Sequence, residues 1–171
     1  MPANPMPIDD FYQQGSGRLI APGHTSDIFN PLTLPKLVTR LARKIRRLQV
    51  THGVNTLAGC GQSGLIIAIL GYKLKLPILS VRKERDDSHD SHRVNGFASD
   101  GTRYLIVDDL IDTGRTVKRI YTSIKKTSAD YRVTDIKPVG ILLYHSCYGS
   151  PYTLEHDANL KPVVQVPTFG S

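Results

Sequence analysis

The chain has 171 residues, 40% hydrophobic and 22% charged, a size and balance that suit one globular domain with a sizeable core. Its 22 Lys and Arg against 15 Asp and Glu give a formal charge of +7. A surface of that sign favours polyanions, either nucleic acid or a pyrophosphate-bearing substrate. No apolar run approaches the about 20 residues that span a bilayer. The start of the chain lacks the basic region and apolar core of a secretory leader. Cys60 and Cys147 have neither metal-type spacing nor the numbers for a disulfide framework. A reducing, cytoplasmic setting without membrane contact is therefore expected.

Residues 1–31 are rich in Pro, Gly and polar residues, with Phe11, Tyr12 and Phe29 as possible anchors. They predict an irregular arm. From Thr33 or Pro35 to about Val50, Leu34, Leu37, Val38, Leu41, Ile45 and Leu48 recur at helical spacing, and Gly53 ends the helix. The polar face of this helix carries Lys36, Arg40, Arg43, Lys44, Arg46 and Arg47. No aromatic interleaving or nucleic-acid motif accompanies them, so a solvated face is the expectation rather than an RNA interface. Val54–Ala58 predicts a strand, residues 59–64 a glycine loop, Leu65–Leu74 a helix and Leu76–Val81 a second strand. Residues 82–102 are charged and polar, and predict a long loop that is functional or disordered. Tyr104–Val107 predicts a buried strand and Val117 to about Thr127 a helix. Thr134–Tyr144 predicts another strand, with Pro138 at an edge, bulge or break. The tail, 145–171, reads as loop with one short strand at Val163–Val166. Alternating strands and helices indicate an α/β fold with a parallel central sheet.

The segment Tyr104-Leu-Ile-Val-Asp-Asp-Leu-Ile-Asp-Thr-Gly-Arg-Thr116 carries the most chemistry. Asp108 and Asp109 follow the strand at its carboxyl end, where open α/β sheets bind ligands. Thr113, Gly114, Arg115 and Thr116 then offer backbone N–H groups and hydroxyls at a helix start, which favours an anion. Acids beside such a loop suit sugar hydroxyls or a bridging Mg²⁺. A phosphorylated sugar satisfies both halves.

This order of strand, acid pair and Thr-Gly loop resembles the ribose-phosphate signature of type I phosphoribosyltransferases. The resemblance covers roughly residues 55–127. It implies a parallel sheet flanked by helices, a small hood from terminal segments 1–31 and 145–171, and a flexible flap within 82–102, all in one domain over 1–171. It also implies phosphoribosyl pyrophosphate (PRPP), pyrophosphate and a nucleobase as ligands, Mg²⁺ as cofactor, and a homodimer. On this basis Gly59, Cys60, Gly61, Gln62 and Ser63 would hold pyrophosphate, with Arg82 and Lys83 beside them. Arg85, His89 and His92 would belong to the flap. Asp108 and Asp109 would orient the ribose and bind the metal. Asp112 would serve as general base on the nucleobase.

The acceptor draws two conflicting clues. In the resemblance, an acid at Asp112 points to a 6-oxopurine, whereas Arg82-Lys83-Glu84 looks like the start of an orotate-enzyme flap. Asp112 would touch the base, so a 6-oxopurine is the first expectation and orotate the alternative. Tyr144, Tyr148 and Tyr152 could stack on a base. Two further readings compete. One is a non-catalytic PRPP- or nucleotide-sensing regulator that binds RNA through the basic helix. The other is a Rossmann enzyme that binds NAD: Gly59, Gly61 and Gly64 form G-x-G-x-x-G, with Glu84 20 residues beyond.

Overall fold

The computed structural model describes residues 26–83, 93–145, 150–156, 158–159 and 162–170. The elements are α1 (Ser26–Phe29), α2 (Leu34–His52), β1 (Thr56–Cys60), α3 (Ser63–Leu74), β2 (Ile78–Val81), β3 (Val94–Gly96), β4 (Arg103–Asp108), α4 (Arg115–Asp130), β5 (Lys137–Leu143), β6 (Tyr152–His156), β7 (Pro162–Val166) and β8 (Thr168–Gly170). The main sheet has the order β3-β2-β1-β4-β5-β8. Every neighbouring pair is parallel except β2 with β3. β6 and β7 form a separate antiparallel hairpin.

The interior strands read as continuous apolar runs because helices cover both sheet faces. Along β4 the side chains alternate between two cores. Leu105 and Val107 pack with Leu41, Ile45, Ile66 and Ile67 of α2 and α3. Tyr104 and Ile106 pack with Val117, Ile120 and Ile124 of α4. In α2 the buried Leu37, Val38, Leu41, Ala42, Ile45 and Leu48 form the expected stripe. Gly53 stops that helix in a left-handed conformation, φ 67°, and its N–H donates to the Gln49 carbonyl at 3.1 Å. The cationic side chains Lys36, Arg40, Arg43, Arg46 and Arg47 face outward. No helix of the described residues is long and apolar enough to cross a membrane.

Several expectations are corrected. The strand foreseen at 54–58 lies at Thr56–Cys60, because Asn55 is used to tie the preceding turn: its Oδ1 accepts from Arg103 N–H at 2.8 Å. Within the expected loop 82–102, residues 94–96 form β3, an edge strand whose half-buried to exposed residues gave no apolar signal. Pro138 sits in an interior strand, at the bulge that was one of its expected settings rather than at an edge. It is tolerated because the β4–β5 register shifts there, Tyr104 facing Pro138 and Leu105 facing Gly140.

The tail contains three strands rather than one. β8 completes the main sheet beside β5, so residues 168–170 are not part of a hood. Its Phe169 ring lies where a Cβ at Gly140 would stand. The hairpin docks on α4 through buried Leu154 and Val166. Glu155 Oε2 accepts from the Tyr121 hydroxyl at 2.5 Å and from Lys125 Nζ at 2.8 Å. In the arm, Ser26–Phe29 is helical, and Ile28 rather than Phe29 enters the core. Phe11, Tyr12, Arg85, His89, His92 and Tyr148 lie outside the described residues.

Ile106 is fully buried, whereas Val50 is 87% exposed. Ile106→Ala should cost about 2–5 kcal/mol in urea unfolding, and Val50→Ala close to nothing.

Candidate functional site

The strand order reverses at the centre of the sheet. β1 leads through α3 to β2 on one side, and the chain returns to place β4 on the other. Ligands bind in such a sheet at this switch point, beyond the carboxyl ends of the strands. The residues leaving β1 and β4 there are those of the two candidate loops. The parallel register Thr56↔Tyr104, Leu57↔Leu105, Ala58↔Ile106, carried to the strand ends, sets Cys60 beside Asp108.

The glycine loop is shorter than its spacing suggested. Gly59 and Cys60 end β1, and Ser63 and Gly64 already open α3. A Cβ at Gly59 would lie 3.1 Å from the Ser63 carbonyl, so this glycine allows strand and helix to pack closely. Gly61 has φ +59°, and a Cβ there would lie 2.6 Å from Lys83 Cε. The Lys83 side chain therefore crosses directly over the loop. Gln62 is exposed beside it. Arg82 points elsewhere. With its amide oxygen facing Arg82, Asn95 of β3 accepts from Nη2 at 3.1 Å and from Nε at 3.2 Å.

The acid-bearing loop grades from interior to solvent. Asp108 is the last residue of β4 and is buried, at 3% exposure. Its Oδ1 accepts from the Ser63 hydroxyl at 2.7 Å, and Tyr144 OH lies 3.3 Å from the same Ser63 oxygen. Asp109 is half-buried, and its Oδ1 accepts from Leu110 N–H at 2.8 Å. Asp112 is exposed. Gly114, not Asp112, is the N-cap of α4, so Asp112 does not cap that helix. Gly114 adopts φ 72°, and the first turn of α4 carries no acid to oppose an anion. The Thr113 hydroxyl accepts from Arg115 Nε at 3.3 Å. A Cβ at Gly114 would overlap the Tyr152 hydroxyl, which brings the C-terminal hairpin onto this loop.

Burial raises the Asp108 carboxyl to about 7, against the Ser63 hydrogen bond that favours its charged form; the neighbouring charge of Asp109 raises it further. Burial likewise pushes the Cys60 thiol up, opposed by the adjacent Arg119 guanidinium and by Lys83. Arg119 was not among the candidates drawn from sequence, although it lies one helical turn past Arg115 on α4. Arg40 was seen only as part of a basic face, yet its Nη2 donates to the Tyr144 carbonyl at 3.3 Å. Tyr144 is buried at 4% exposure, with its hydroxyl 3.3 Å from Ser63 Oγ. The Tyr152 hydroxyl is placed against Gly114, in the loop that opens α4.

The model of the phosphoribosyl transferase domain matches residues 24–165. The chain belongs to the phosphoribosyltransferase family. Orotate phosphoribosyltransferase from Bacillus pumilus is 29% identical over 117 residues, 64% of this chain and 55% of that protein. The Pyrococcus furiosus enzyme of the same name is 29% identical over 107 residues, 61% of this chain and 59% of its own length. The chain thus spans little more than half the length of these relatives. Adenine phosphoribosyltransferase from Saccharomyces cerevisiae shares the fold, with TM-score 0.56 and 15% identity over 85% of this chain and 82% of that one. The phosphoribosyltransferase fold thus accounts for both loops at the switch point, where the Rossmann reading left the acid-bearing loop unexplained.

Asp108 binds its proton longer in the folded chain than in the unfolded one, whose ordinary value is 3.8. Its contribution to stability is complete below that value and is lost as pH rises toward about 7. The urea midpoint of Asp108→Asn should therefore fall less than that of the wild type between pH 4 and pH 7. Parallel curves would contradict this.

Proposed function

We propose that the protein transfers a 5-phosphoribosyl group from PRPP to a nucleobase, with release of pyrophosphate. The observation that carries this is the meeting of two different anion cradles at one switch point. One is the Gly61 turn under Lys83. The other is the Gly114-capped start of α4. The acid pair stands between them at the end of β4. A ligand with an anion at each end and a sugar in the middle matches that spacing of chemistries.

In this reading the backbone N–H groups of Thr113–Thr116 receive the 5′-phosphate. Gly61, Gln62 and Lys83 receive the pyrophosphate, whose charge grows as the bond to the sugar breaks. Asp109, half-exposed, accepts from ribose hydroxyls and favours the cationic sugar of the transition state. The exposed Asp112 is placed to accept a proton from the incoming base. Among the described residues no three His, Cys, Asp or Glu side chains gather as a metal cluster. Mg²⁺ is commonly held by one or two carboxylates together with substrate oxygens rather than by an all-protein cage, and Asp109 fits that kind of site. Bound there, Mg²⁺ would screen the pyrophosphate charge.

For the acceptor we favour orotate over a 6-oxopurine. The curated relatives of this chain are orotate phosphoribosyltransferases, in agreement with the Arg82-Lys83-Glu84 segment. The 6-oxopurine reading keeps one support, the acid at Asp112. Pyrophosphate release from PRPP and Mg²⁺ should be tested with orotate, hypoxanthine, guanine, xanthine, adenine and uracil in separate reactions. Release with orotate alone is expected. Release with hypoxanthine, guanine or xanthine would restore the purine reading. No release with any base, while PRPP still binds in calorimetry, would favour a nucleotide-sensing regulator.

A further inference from the structure

Ser63 is one of the most constrained polar side chains of the site. It opens α3 and is 3% exposed, and its hydroxyl donates to Asp108 Oδ1 at 2.7 Å. Tyr144 OH lies 3.3 Å from the same oxygen. A serine hydroxyl has a single proton. With that proton on Asp108, Ser63 can only accept from Tyr144. The three groups thus form a directed chain: Tyr144 O–H to Ser63, Ser63 O–H to Asp108. All three residues are buried. No hydroxyl proton of Ser63 is left for a phosphate oxygen.

The backbone runs the same way. Tyr144 N–H donates to the Asp108 carbonyl at 3.1 Å, and His145 N–H to the Asp109 carbonyl at 3.0 Å. Arg40 Nη2 then holds the Tyr144 carbonyl. The end of β5, the acid pair and the first residue of α3 are joined as one unit. A hydrogen bond from a hydroxyl to a carboxylate in a water-excluded place is short and strong, and it fixes which oxygen the carboxylate turns to its neighbours.

We propose that Ser63 is a positioning residue that joins the glycine loop to the acid pair by fixing the Asp108 carboxylate, and that its hydroxyl is not a pyrophosphate ligand. This rests on the phosphoribosyl reading of the two loops. It divides the glycine loop into two jobs: Gly61 and Gln62 face the anion, while Ser63 faces inward and sets the sugar side of the site.

The test is calorimetric binding of ribose 5-phosphate and of inorganic pyrophosphate, separately, to the full chain. Ser63→Ala should weaken ribose 5-phosphate about tenfold by removing the one side-chain hydroxyl that donates to the buried Asp108 carboxyl, leaving only the Asp109 backbone hydrogen bond. It should leave pyrophosphate within about twofold. In an Asp108→Asn background, Ser63→Ala should add less than about twofold, because both changes act on one contact. Greater loss of pyrophosphate than of ribose 5-phosphate, or additive effects in the double variant, would overturn the proposal. If Ser63→Ala does not fold, Tyr144→Phe removes the upstream hydroxyl and leaves Ser63 in place. It should weaken ribose 5-phosphate by about threefold, again without loss of pyrophosphate affinity; the opposite pattern overturns the proposal. A wild-type chain that binds neither ligand would sink the phosphoribosyl reading itself. A wild-type chain that binds both, with no effect of Ser63→Ala on ribose 5-phosphate, sinks only the role of Ser63.

Discussion

A carboxylate held out of water between two strand ends governs the rest of the site. Burying an ionisable group costs free energy unless donors replace the lost water. Asp108 meets part of that demand through Ser63, which belongs to a different loop. The helix that starts at Ser63 and the strand that ends at Asp108 are therefore locked together where the strand order reverses. β1 and β4 must be parallel neighbours for this to happen, and their fully apolar interiors, with helices on both faces, make them so. The two loops proposed to hold anions inherit their separation from that lock.

The three acids of the loop then divide by depth rather than by sequence. Asp108 is interior, Asp109 half-buried and Asp112 exposed. A carboxylate near phosphates repels them, and burial limits this at Asp108, whose raised carboxyl carries less negative charge near neutrality than an ordinary carboxylate. Cations stand on the outer sides instead. Lys83 covers Gly61, and Arg119 lies against Cys60. The C-terminal hairpin closes the opposite flank, since the Tyr152 hydroxyl occupies the space that a side chain at position 114 would need.

Much of this was legible in the chain itself. The apolar run at 104–107 followed by acids, and the 3.6-residue stripe of α2, announced a parallel sheet with a ligand site at its carboxyl edge. Gly61 and Gly114 carried the two tight turns, and both have positive φ. The partners of Ser63 and Tyr144 were not legible. Ser63 lies 45 positions from Asp108 and 81 from Tyr144, and no local pattern encodes contacts at that range. A hydroxyl in a glycine loop reads as a phosphate donor until its own acceptor is seen. β3 and β8 escaped because three-residue strands at sheet edges carry little apolar alternation. Of the hairpin, the strand expected at 163–166 is β7, whereas β6 escaped because the burial of its Leu154 depends on α4.

The central claim is that one ligand spans both loops, its 5′-phosphate at Thr113–Thr116 and its pyrophosphate at Gly61 and Lys83. Phosphorus NMR of PRPP titrated with the protein reads the two ends separately. The account predicts that the 5′-phosphate and pyrophosphate resonances shift together with a single affinity. A shift confined to one end, or none at either, would contradict it.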